Sequence, residues 1–358
     1  MAVTIKDVAT RAGVALGTVS RVINGYPDVN PRLREHVEKA IRELNYRPNA
    51  RAQSFVRDAS PIISYILSNR NFFHPIHSRI LQGVEEYCEE AGFFVLYTKF
   101  QYTAGTEVSE LRLPRVLQSH GIADCVILAG TNYENFLDAV EELGVPYVLL
   151  ANNFVTSGKR DPVDQVRFDE LNGAYEATKY LVHLGHERIW YIGDLALPWF
   201  RVRYDGYLKA IKEHKLEPLV QTASLSDDPF ANGHDSMEMI LEGKEPFTAV
   251  FAGNDDMAYG AWETLRHHGL DVPHDVSLVG FGGQYRPLKI PQLTTVRVDS
   301  EEVGWQLAKM AVQKTKSPRQ KLPEVLIPTT LEKHGTCRPL LPKGDEAKLT
   351  HLPHSKRA

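Results

Sequence analysis

Arg21 is the residue with the clearest chemical use in this chain. It lies in the stretch TIKDVATRAGVALGTVSRVIN, which runs from Thr4 to Asn24, and apolar residues recur there at helical spacing on both sides of Gly13. A guanidinium on the outer face of a helix can donate two parallel hydrogen bonds to O6 and N7 of guanine. The residue type and its placement therefore predict a side chain that reads base edges in a DNA major groove.

Two short helices joined by a tight corner are predicted to position Arg21. Thr4 is a good N-cap with Asp7 three residues later, and Gly13 supplies the left-handed residue that ends the first helix. The apolar faces of the two helices consist of Ile5, Val8 and Ala9, and then Val19, Val22 and Ile23. The outer face of the second helix carries Leu16, Gly17, Thr18, Ser20 and Arg21, the arrangement of a helix-turn-helix.

A third helix and a local excess of positive charge support this interpretation. Asn30 and Pro31 form an N-cap and first-turn pair, and apolar residues follow at helical spacing at Leu33, Val37, Ala40, Ile41 and Leu44. Residues 1–60 carry ten Lys/Arg against six Asp/Glu, whereas the remainder carries 31 against 39. Positive charge is thus concentrated at the end with the reading helix, as phosphate binding requires. A solvated surface arginine remains the alternative for Arg21.

The whole-chain composition indicates a globular protein of several domains. A chain of 358 residues is too long for one ordinary domain, and 43% hydrophobic with 24% charged residues is ordinary for a soluble protein. We expect neither a membrane-spanning helix nor a signal peptide, and we expect the protein to be located in the cytoplasm. Three widely spaced cysteines, Cys88, Cys125 and Cys337, favour neither a disulfide framework nor a metal motif.

From Pro61 onward short apolar runs alternate with helical segments. Runs such as IISYIL, CVILAG, YVLL, WYIG, AVFAG and LVGFG predict buried strands of parallel sheets with right-handed crossover helices. We expect two such subdomains, joined by chain crossings near Val163–Arg167, Arg297–Asp299 and Leu322–Glu324. The polar tail 339–358 lacks apolar heptads and is expected to be disordered.

The segment TIKDVATRAGVALGTVSRVING, followed by LNYRPNARAQSF, resembles the N-terminal signature of the lactose-repressor family of bacterial transcription regulators. The resemblance continues to about residue 338 and implies an all-α helix-turn-helix domain followed by an α/β, periplasmic-binding-protein-like core of two parallel-sheet subdomains. The expected parts are the helix-turn-helix domain 1–45, a hinge helix and linker 46–60, and an effector-binding and dimerisation core 61–338. Within the core we expect an N-subdomain of about 61–165 and 298–322, and a C-subdomain of about 166–297 and 323–338.

The family assigns the DNA contacts to the second helix and to the hinge. The base-reading positions are Leu16 and Gly17 here, which offer only apolar and backbone contact, so Arg21 is the one strong polar reader. Ala15 occupies a position where the family commonly has Ser. Phe55 occupies the position of the lever residue, which is usually Leu and whose side chain wedges into a base step. Packing of Phe55 against the core is the alternative. The full expected set is Thr4, Ile5, Ala15, Leu16, Gly17, Thr18, Ser20, Arg21, Asn24, Asn30, Asn49, Ala52, Gln53 and Phe55.

The resemblance also implies a small-molecule effector between the two subdomains. Arg203 in FRVRYDGY corresponds to an arginine that clamps the ligand, and Asn254 and Asp255 in FAGNDDMAYGA are expected to face the cleft. Trp199 and Phe230 could supply flat apolar walls. The full expected set is Ile76, His77, Asn152, Trp199, Arg203, Phe230, Asn254 and Asp255.

Two commonly acidic positions of the family are not acidic in this chain. Gly282 and Ala151 occupy them, which removes acceptors that a polyhydroxyl sugar would need. Arg203 keeps a planar fork that suits an anion. These departures suggest an effector that is not a simple neutral sugar and that carries negative charge. A cleft that binds nothing specific is the alternative.

Neither a metal, a cofactor nor a catalytic site is expected. His74 and His77 are too few for a metal site, and GFGGQY departs from a dinucleotide fingerprint at Tyr285. No nucleophile motif is recognisable. The sequence thus predicts a non-enzymatic regulator, most often a repressor, that binds a pseudo-palindromic operator as a homodimer. The alternatives are a cytoplasmic binding protein with a vestigial DNA-binding head, and an enzyme built on the same core.

Overall fold

The computed structural model describes residues 4–23, 26, 29–44, 46, 62–119, 122–158, 163–222, 228–283 and 292–340. The chain divides into two compact units, 1–61 and 62–358, and each is described by itself. Five expected DNA contacts, Asn24, Asn49, Ala52, Gln53 and Phe55, lie outside the described residues, as do 47–60 of the expected hinge and 341–358 of the expected tail.

The described part of the first unit contains three helices, α1 (Ile5–Ala12), α2 (Leu16–Ile23) and α3 (Pro31–Glu43). The carboxylate of Asp7 accepts hydrogen bonds from the backbone N–H and the hydroxyl of Thr4, each at 2.7 Å. Gly13 follows α1 with a φ of 67°, the left-handed conformation that glycine adopts without a Cβ penalty. The sequence prediction of a helix-turn-helix fold is confirmed.

A small apolar core holds the three helices together. Val8 of α1, Val19 of α2 and Val37 of α3 are completely buried, and each helix thus contributes to one shared interior. An ion pair of 2.6 Å between Arg11 and Glu43 links α1 to α3 at the surface. Exposed pairs of this kind contribute little to stability, so the core rather than the ion pair fixes the arrangement.

The second unit contains two six-stranded sheets, and each sheet with its helices is called a lobe. The strands of the first lobe run in the spatial order β13-β7-β5-β3-β1-β2, and all their pairings are parallel. Their bounds are β1 (Ile62–Ser68), β2 (Phe94–Phe100), β3 (Cys125–Gly130), β5 (Tyr147–Leu150), β7 (Gln165–Phe168) and β13 (Val325–Ile327). A separate parallel pair follows beside this sheet, β4 (Asn132–Tyr133) and β6 (Phe154–Val155).

The second lobe repeats this plan in the order β14-β12-β11-β10-β8-β9. Its strands are β8 (Ile189–Ile192), β9 (Leu219–Gln221), β10 (Ala249–Ala252), β11 (Ser277–Gly282), β12 (Thr294–Arg297) and β14 (Thr330–Glu332). Only β14 pairs antiparallel among the described strands of this sheet. The two sheets, parallel apart from β14, confirm the predicted fold class of the core.

Helices cover the sheets and place their N-termini at the carboxyl ends of strands, as in other open α/β sheets. The helices of the first lobe are α4 (Pro75–Ala91), α5 (Arg115–Gln118), α6 (Glu134–Glu142) and α11 (Ser300–Lys316). Those of the second lobe are α7 (Glu170–His183), α8 (Pro198–Glu213), α9 (Pro229–Glu242) and α10 (Asp255–His267).

The chain passes between the lobes three times, and two of these passages differ from the sequence prediction. Strand β7 still pairs in the first sheet, so the first passage follows Phe168 instead of lying within 163–167. Strand β13 also belongs to the first sheet, which moves the third passage from 322–324 to the link between β13 and β14. The second passage, between β12 and α11, lies at the expected position. Both corrections arise because β7 and β13 are strands of four and three residues, too short to show a strand pattern in the sequence.

Candidate nucleic-acid interface and interlobe cleft

Helix α2 buries one face and exposes the other. Val19 and Val22 point into the core of the first unit, whereas Leu16 is 44% exposed and Gly17 and Arg21 are exposed beside it. The guanidinium carbon of Arg21 lies 5.2 Å from the centre of the Tyr26 ring. A cation over an aromatic face is attracted by the ring, and this contact helps to hold the Arg21 side chain in place.

The start of α2 has no side-chain cap from residue 15. The backbone N–H groups of Thr18 and Val19 donate to the carbonyl oxygen of Ala15 at 2.9 and 3.3 Å, and alanine has no side-chain oxygen for the remaining N–H groups. Unpaired N–H groups at a helix start suit an anion such as a DNA phosphate. Ala15 therefore contributes to the surface through the backbone alone.

Three of the expected phosphate-binding or DNA-contacting residues have structural roles. The hydroxyl proton of Thr4 is donated to Asp7, and the side-chain oxygen of Asn30 accepts the backbone N–H of Arg32 at 2.9 Å. Ile5 is half-buried and packs against the core of the first unit. The hydrogen bonds from the Thr4 backbone N–H and then its hydroxyl lower the pKa of Asp7. Thr18 and Ser20 are half-buried on the same helix as Arg21.

In the second unit two contacts join the lobes at the carboxyl ends of their strands. The guanidinium of Arg70, which follows β1, lies 4.6 Å from the ring centre of Trp199 on α8. Nε2 of His74, which precedes α4, lies 3.4 Å from a carboxylate oxygen of Asp256 on α10. These contacts place the carboxyl ends of both sheets opposite one another, so the cleft lies where open α/β sheets bind ligands.

Arg203, which the sequence predicts to clamp the effector, is already held by the protein. Its Nε and Nη2 both donate to Oε1 of Glu170 at 3.0 and 2.6 Å, and its Nη1 donates to the carbonyl oxygen of Gly253 at 2.7 Å. Its guanidinium also lies 4.1 Å from the centre of the Phe281 ring. The sequence prediction of an open fork for an anion is therefore wrong in this structure.

Asn152 is also fully engaged, and it connects the two lobes. Its amide exchanges hydrogen bonds with the backbone of Phe168, each at 2.9 Å, and donates to the second carboxylate oxygen of Glu170 at 2.9 Å. Asn152 follows β5 in the first lobe, whereas Arg203 belongs to α8 in the second. Glu170 thus joins two residues that the sequence prediction named separately.

Glu170 itself is a residue that the sequence analysis missed. It is buried at the start of α7, one position after the N-cap Asp169, where an acidic residue usually only favours the helix dipole. Burial raises the pKa of its carboxyl group, and Arg203 and Asn152 act in the opposite direction. The one sequence signal for Glu170 was its position shortly after the predicted passage of the chain between the subdomains.

Asn254 and Asp255 begin α10, and neither is an open ligand contact. The side-chain oxygen of Asn254 caps the helix by accepting the backbone N–H of Met257 at 2.8 Å. Asp255 is completely buried and accepts the hydroxyl of Thr295 at 2.5 Å. Gly282, with a φ of 136°, lies so close that a Cβ there would stand 3.2 Å from Oδ2 of Asp255. The expectation that Asp255 faces the cleft is therefore not met.

The expected apolar walls are mostly covered. Trp199 is buried between Arg70 and the second-lobe core, and Phe230 is half-buried against the same core. Ile76 packs on the core of the first lobe, and His77 is buried beside it. Burial, assisted by His74 and Arg70, lowers the pKa of His77 to about 3, so its imidazole is neutral at physiological pH.

Several buried polar atoms near the carboxyl ends of the first-lobe strands have no hydrogen-bond partner within the described ranges. They include Oγ of Ser68, Oγ1 of Thr131, Oδ1 of Asn132 and Nδ1 of His77. The backbone N–H of Thr131 donates to the carbonyl oxygen of Ser68 at 2.8 Å, so the ends of β1 and β3 adjoin. His77 lies in the first turn of the helix that follows β1. Buried polar atoms are normally paired, so this group marks a surface suited to a ligand.

No set of three or more potential metal-ligating side chains occurs in the described part of the chain, and its three cysteines are free. The helices that the structure describes include none with the length and hydropathy of a membrane span.

Comparison with known proteins supplies the family context. Residues 4–49 match the family of bacterial regulatory proteins of the lacI type, and residues 178–337 match a periplasmic binding protein-like domain. The chain is 31% identical to the HTH-type transcriptional regulator CelR of Thermobifida fusca, over 87% of this chain and 91% of that one. It is 30% identical to the HTH-type transcriptional repressor CytR of Escherichia coli K12, over 85% and 87%.

Solved structures are similar over nearly the whole chain. The lac repressor dimer bound to operator and the anti-inducer ONPF is 28% identical, with a TM-score of 0.77, over 94% of this chain and 100% of that one. A complex of the regulator CelR with cellobiose is also 28% identical, with a TM-score of 0.68, over 93% and 99%. The relatives named here are transcription regulators.

Proposed function

The chain belongs to the lacI family of bacterial regulatory proteins, and on that premise we propose that it is a repressor that binds a pseudo-palindromic DNA operator as a homodimer. A small molecule in the interlobe cleft changes its affinity for that operator. The observation that carries the proposal is the division of α2, in which Val19 and Val22 are buried while Leu16 and Arg21 are exposed.

The exposed face of α2 supplies the sequence-specific contacts. Arg21 donates to a guanine, Leu16 packs on a thymine methyl group, and Gly17 allows the backbone to approach closely. The N–H groups at the start of α2, together with Thr18, Ser20 and Asn24, bind phosphate oxygens and fix the register. Thr4, Ile5, Ala15 and Asn30 support the surface as caps and packing residues, and their contact with DNA is through the backbone or the Asn30 amide.

Segment 46–60 forms the hinge in this proposal. Asn49, Ala52 and Gln53 lie along the minor groove, and Phe55 inserts between two base pairs as an apolar wedge. A wedge of this kind requires the DNA to bend, so it contributes only where the central base step deforms readily. The support is the sequence likeness and the match of the family to residues 4–49.

Dimerisation is supported by an exposed apolar patch at the edge of the first lobe. Edge strand β2 exposes Phe94, Leu96 and Tyr97, and Phe73, in the loop between β1 and α4, is 86% exposed. These four residues are called the edge patch. Apolar side chains along an open sheet edge favour association with another chain, because burial removes them from water. A second copy of this chain is the proposed occupant, and the similar lac repressor structure is a dimer.

The regulatory part of the proposal rests on the two-lobed core. Three passages of the chain join the lobes, and Arg70 with Trp199 and His74 with Asp256 form contacts between them. A ligand that favours one relative position of the lobes shifts the population toward it. A differential affinity of about 1–3 kcal/mol is sufficient for regulation of this type.

Selection of bound duplexes from a random DNA pool tests the proposal with the full chain. We expect recovered sites with two inverted half-sites and a fixed spacing, because the two reading helices are related by the dimer two-fold. Binding to the selected site should weaken steeply with salt concentration, since phosphate contacts release counterions. Recovery of no preferred sequence would contradict the proposal and would favour a binding protein with a vestigial head.

A further inference from the structure

Negative charge flanks the first residues of edge strand β2. Helix α4 covers the sheet next to β2, and α11 packs against α4 at Gly83 and Tyr87. Glu85 and Glu89 are exposed roughly half a turn around the helix from Gly83, so they lie on the flank that faces away from α11. Because α11 covers the inner strands, this flank faces the open edge of the sheet. The two glutamates are called the acidic flank.

The acidic flank lies where a helix disfavours negative charge. The last two turns of α4 carry four exposed glutamates, and the last turn of this fully described helix contains no basic residue. Carboxylates near the C-terminus of a helix are repelled by the helix dipole, and like charges one turn apart repel each other. A cation supplied by another part of the molecule or by another chain would offset both effects.

Positive charge flanks the second half of β2. Lys99 is exposed near the end of the strand, and Arg112 and Arg115 line a groove beside it together with apolar side chains. These three cations are called the basic end. No acidic residue of the described chain lines this groove. Glu107 and Glu110 belong to a short helical turn of the same loop, and that turn packs against α6.

Charge therefore changes sign along β2, and the apolar edge patch lies between the two ends. A two-fold axis perpendicular to β2 reverses the strand of the partner, so the first residues of one strand lie beside the last residues of the other. Each acidic flank then meets a basic end, and the symmetry repeats this contact a second time. A partner strand that ran in the same direction would place like charges side by side.

We propose that the acidic flank of each copy pairs with the basic end of the other, and that this order of charges selects a second copy of this chain, in antiparallel orientation, as the partner of the edge patch. A chain of the same fold with a different order of charges along this strand would meet like charges and would be rejected. This inference rests on the proposed function, because it takes the homodimer through the edge patch as its starting point.

Two charge-reversed variants of the full chain test the pairing. Glu85→Lys with Glu89→Lys gives a strand flanked by positive charge on both sides, and Lys99→Glu with Arg112→Glu and Arg115→Glu gives one flanked by negative charge. In sedimentation velocity, each variant alone should dimerise at least about tenfold more weakly than the wild type, because attraction at both symmetric contacts becomes repulsion.

A mixture of the two variants separates charge pairing from a general loss of structure. The equimolar mixture should recover the dimer affinity of the wild type, because positive and negative flanks then meet at both contacts. Recovery also shows that both variants are folded. A mixture that dimerises as weakly as the separate variants would overturn the inference. Wild-type dimer affinity of each variant alone would overturn it as well.

A control variant tests whether the order of the charges or only the net charge matters. Lys212→Glu with Lys244→Glu and Arg266→Glu reverses three exposed cations of the second lobe, and it changes the net charge as much as reversal of the basic end does. We expect this variant to dimerise like the wild type. A loss of affinity equal to that of the reversed basic end would contradict the pairing.

The wild-type protein in the same experiment keeps this inference apart from the proposed function. Absence of a wild-type dimer at every protein concentration would contradict the homodimer of the proposed function. A wild-type dimer whose affinity neither charge reversal changes would contradict only the pairing of the acidic flank with the basic end.

Discussion

Arg203 and Glu170 form a buried ion pair in which Nε and Nη2 of the arginine donate to the same carboxylate oxygen, at 3.0 and 2.6 Å. The pair links α8 to the start of α7, directly after the chain leaves the first lobe. Arg203 and Glu170 lie far apart in the sequence, so only the folded chain brings their charges together.

Removal of either partner of this pair should strongly destabilise the core. Arg203→Ala or Glu170→Ala leaves one buried charge without compensation, and each should lower the free energy of unfolding by about 3–5 kcal/mol. The double variant should lose clearly less than the sum of the two, because no unpaired charge remains. Urea unfolding of the full chain, followed by tryptophan fluorescence of the core, provides the values. Additive losses would mean that the two side chains stabilise the fold independently.

Arg21→Ala should reduce the choice between DNA sequences. Loss of a bidentate contact with guanine costs about 1–3 kcal/mol of discrimination against the wrong base pair. Fluorescence anisotropy with the selected operator and with a duplex changed at one guanine measures this difference. Arg32→Ala removes an exposed charge from α3 and serves as the control, which should keep the wild-type ratio of affinities. An unchanged ratio in Arg21→Ala would remove Arg21 from the reading surface.

Leu16 should read a thymine methyl group. Replacing the contacted thymine with uracil deletes that methyl and should weaken binding by about 0.8 kcal/mol, the value of one buried carbon group. Leu16→Ala should weaken binding to the thymine duplex similarly, and the two changes should not add. The affinities of the wild type and Leu16→Ala for the thymine and the uracil duplex form a double-mutant cycle, which measures whether the two changes are additive. If every uracil position weakens Leu16→Ala as much as the wild type, Leu16 contacts no methyl group.

Phe94→Glu should disrupt the homodimer. Phe94 is 59% exposed on edge strand β2, and a carboxylate in an apolar interface must be desolvated without a partner. Sedimentation velocity should show a shift toward monomer, and operator affinity should fall with it because two reading heads no longer act together. Met239→Glu is the matched control, since Met239 is a 49% exposed apolar residue of α9 in the second lobe. A dimer that persists in Phe94→Glu would place the interface elsewhere.

His77 should make the core less stable at mildly acidic pH. Burial lowers its pKa from 6.5 to about 3, so the unfolded chain binds more protons than the folded one between these values. Its contribution is therefore complete above pH 6.5 and is lost as the pH falls toward 3. At pH 5 the loss should be about 2 kcal/mol.

Urea unfolding at a series of pH values measures this effect. His77→Leu should lose about 2 kcal/mol less stability than the wild type between pH 7 and pH 5, because leucine does not titrate. The exposed His267 is the control position, and His267→Leu should keep the full pH dependence. Identical pH profiles for the wild type and His77→Leu would show that His77 is accessible to protons in the folded protein.

The sequence predicts the helices and the central strands well because their apolar residues have a clear period. Thr4, Gly13 and the Asn30–Pro31 pair mark helix ends through local chemistry, which the structure reproduces at α1 and α3. The short strands β7 and β13 were missed because their pairing depends on neighbours distant in the chain.

The candidate cleft was less predictable than the fold. Asn152 and Arg203 both bind Glu170, which is 33 residues from Arg203 in the sequence and which no local pattern connects with either of them. The sequence predicts that Asp255 is exposed because it begins a helix, yet it is buried and hydrogen-bonded to Thr295 of strand β12. Local patterns report which side chains begin a helix, whereas long-range packing decides which of them a solute can reach.

The contact between Gly282 and Asp255 limits how this protein can evolve. A side chain at position 282 would need a backbone conformation that only glycine adopts easily, and an acidic one would meet the Asp255 carboxylate. A single substitution at position 282 therefore strains the backbone and brings the new side chain against Asp255. A redesign that places a carboxylate at this position is expected to need a compensating change at position 255.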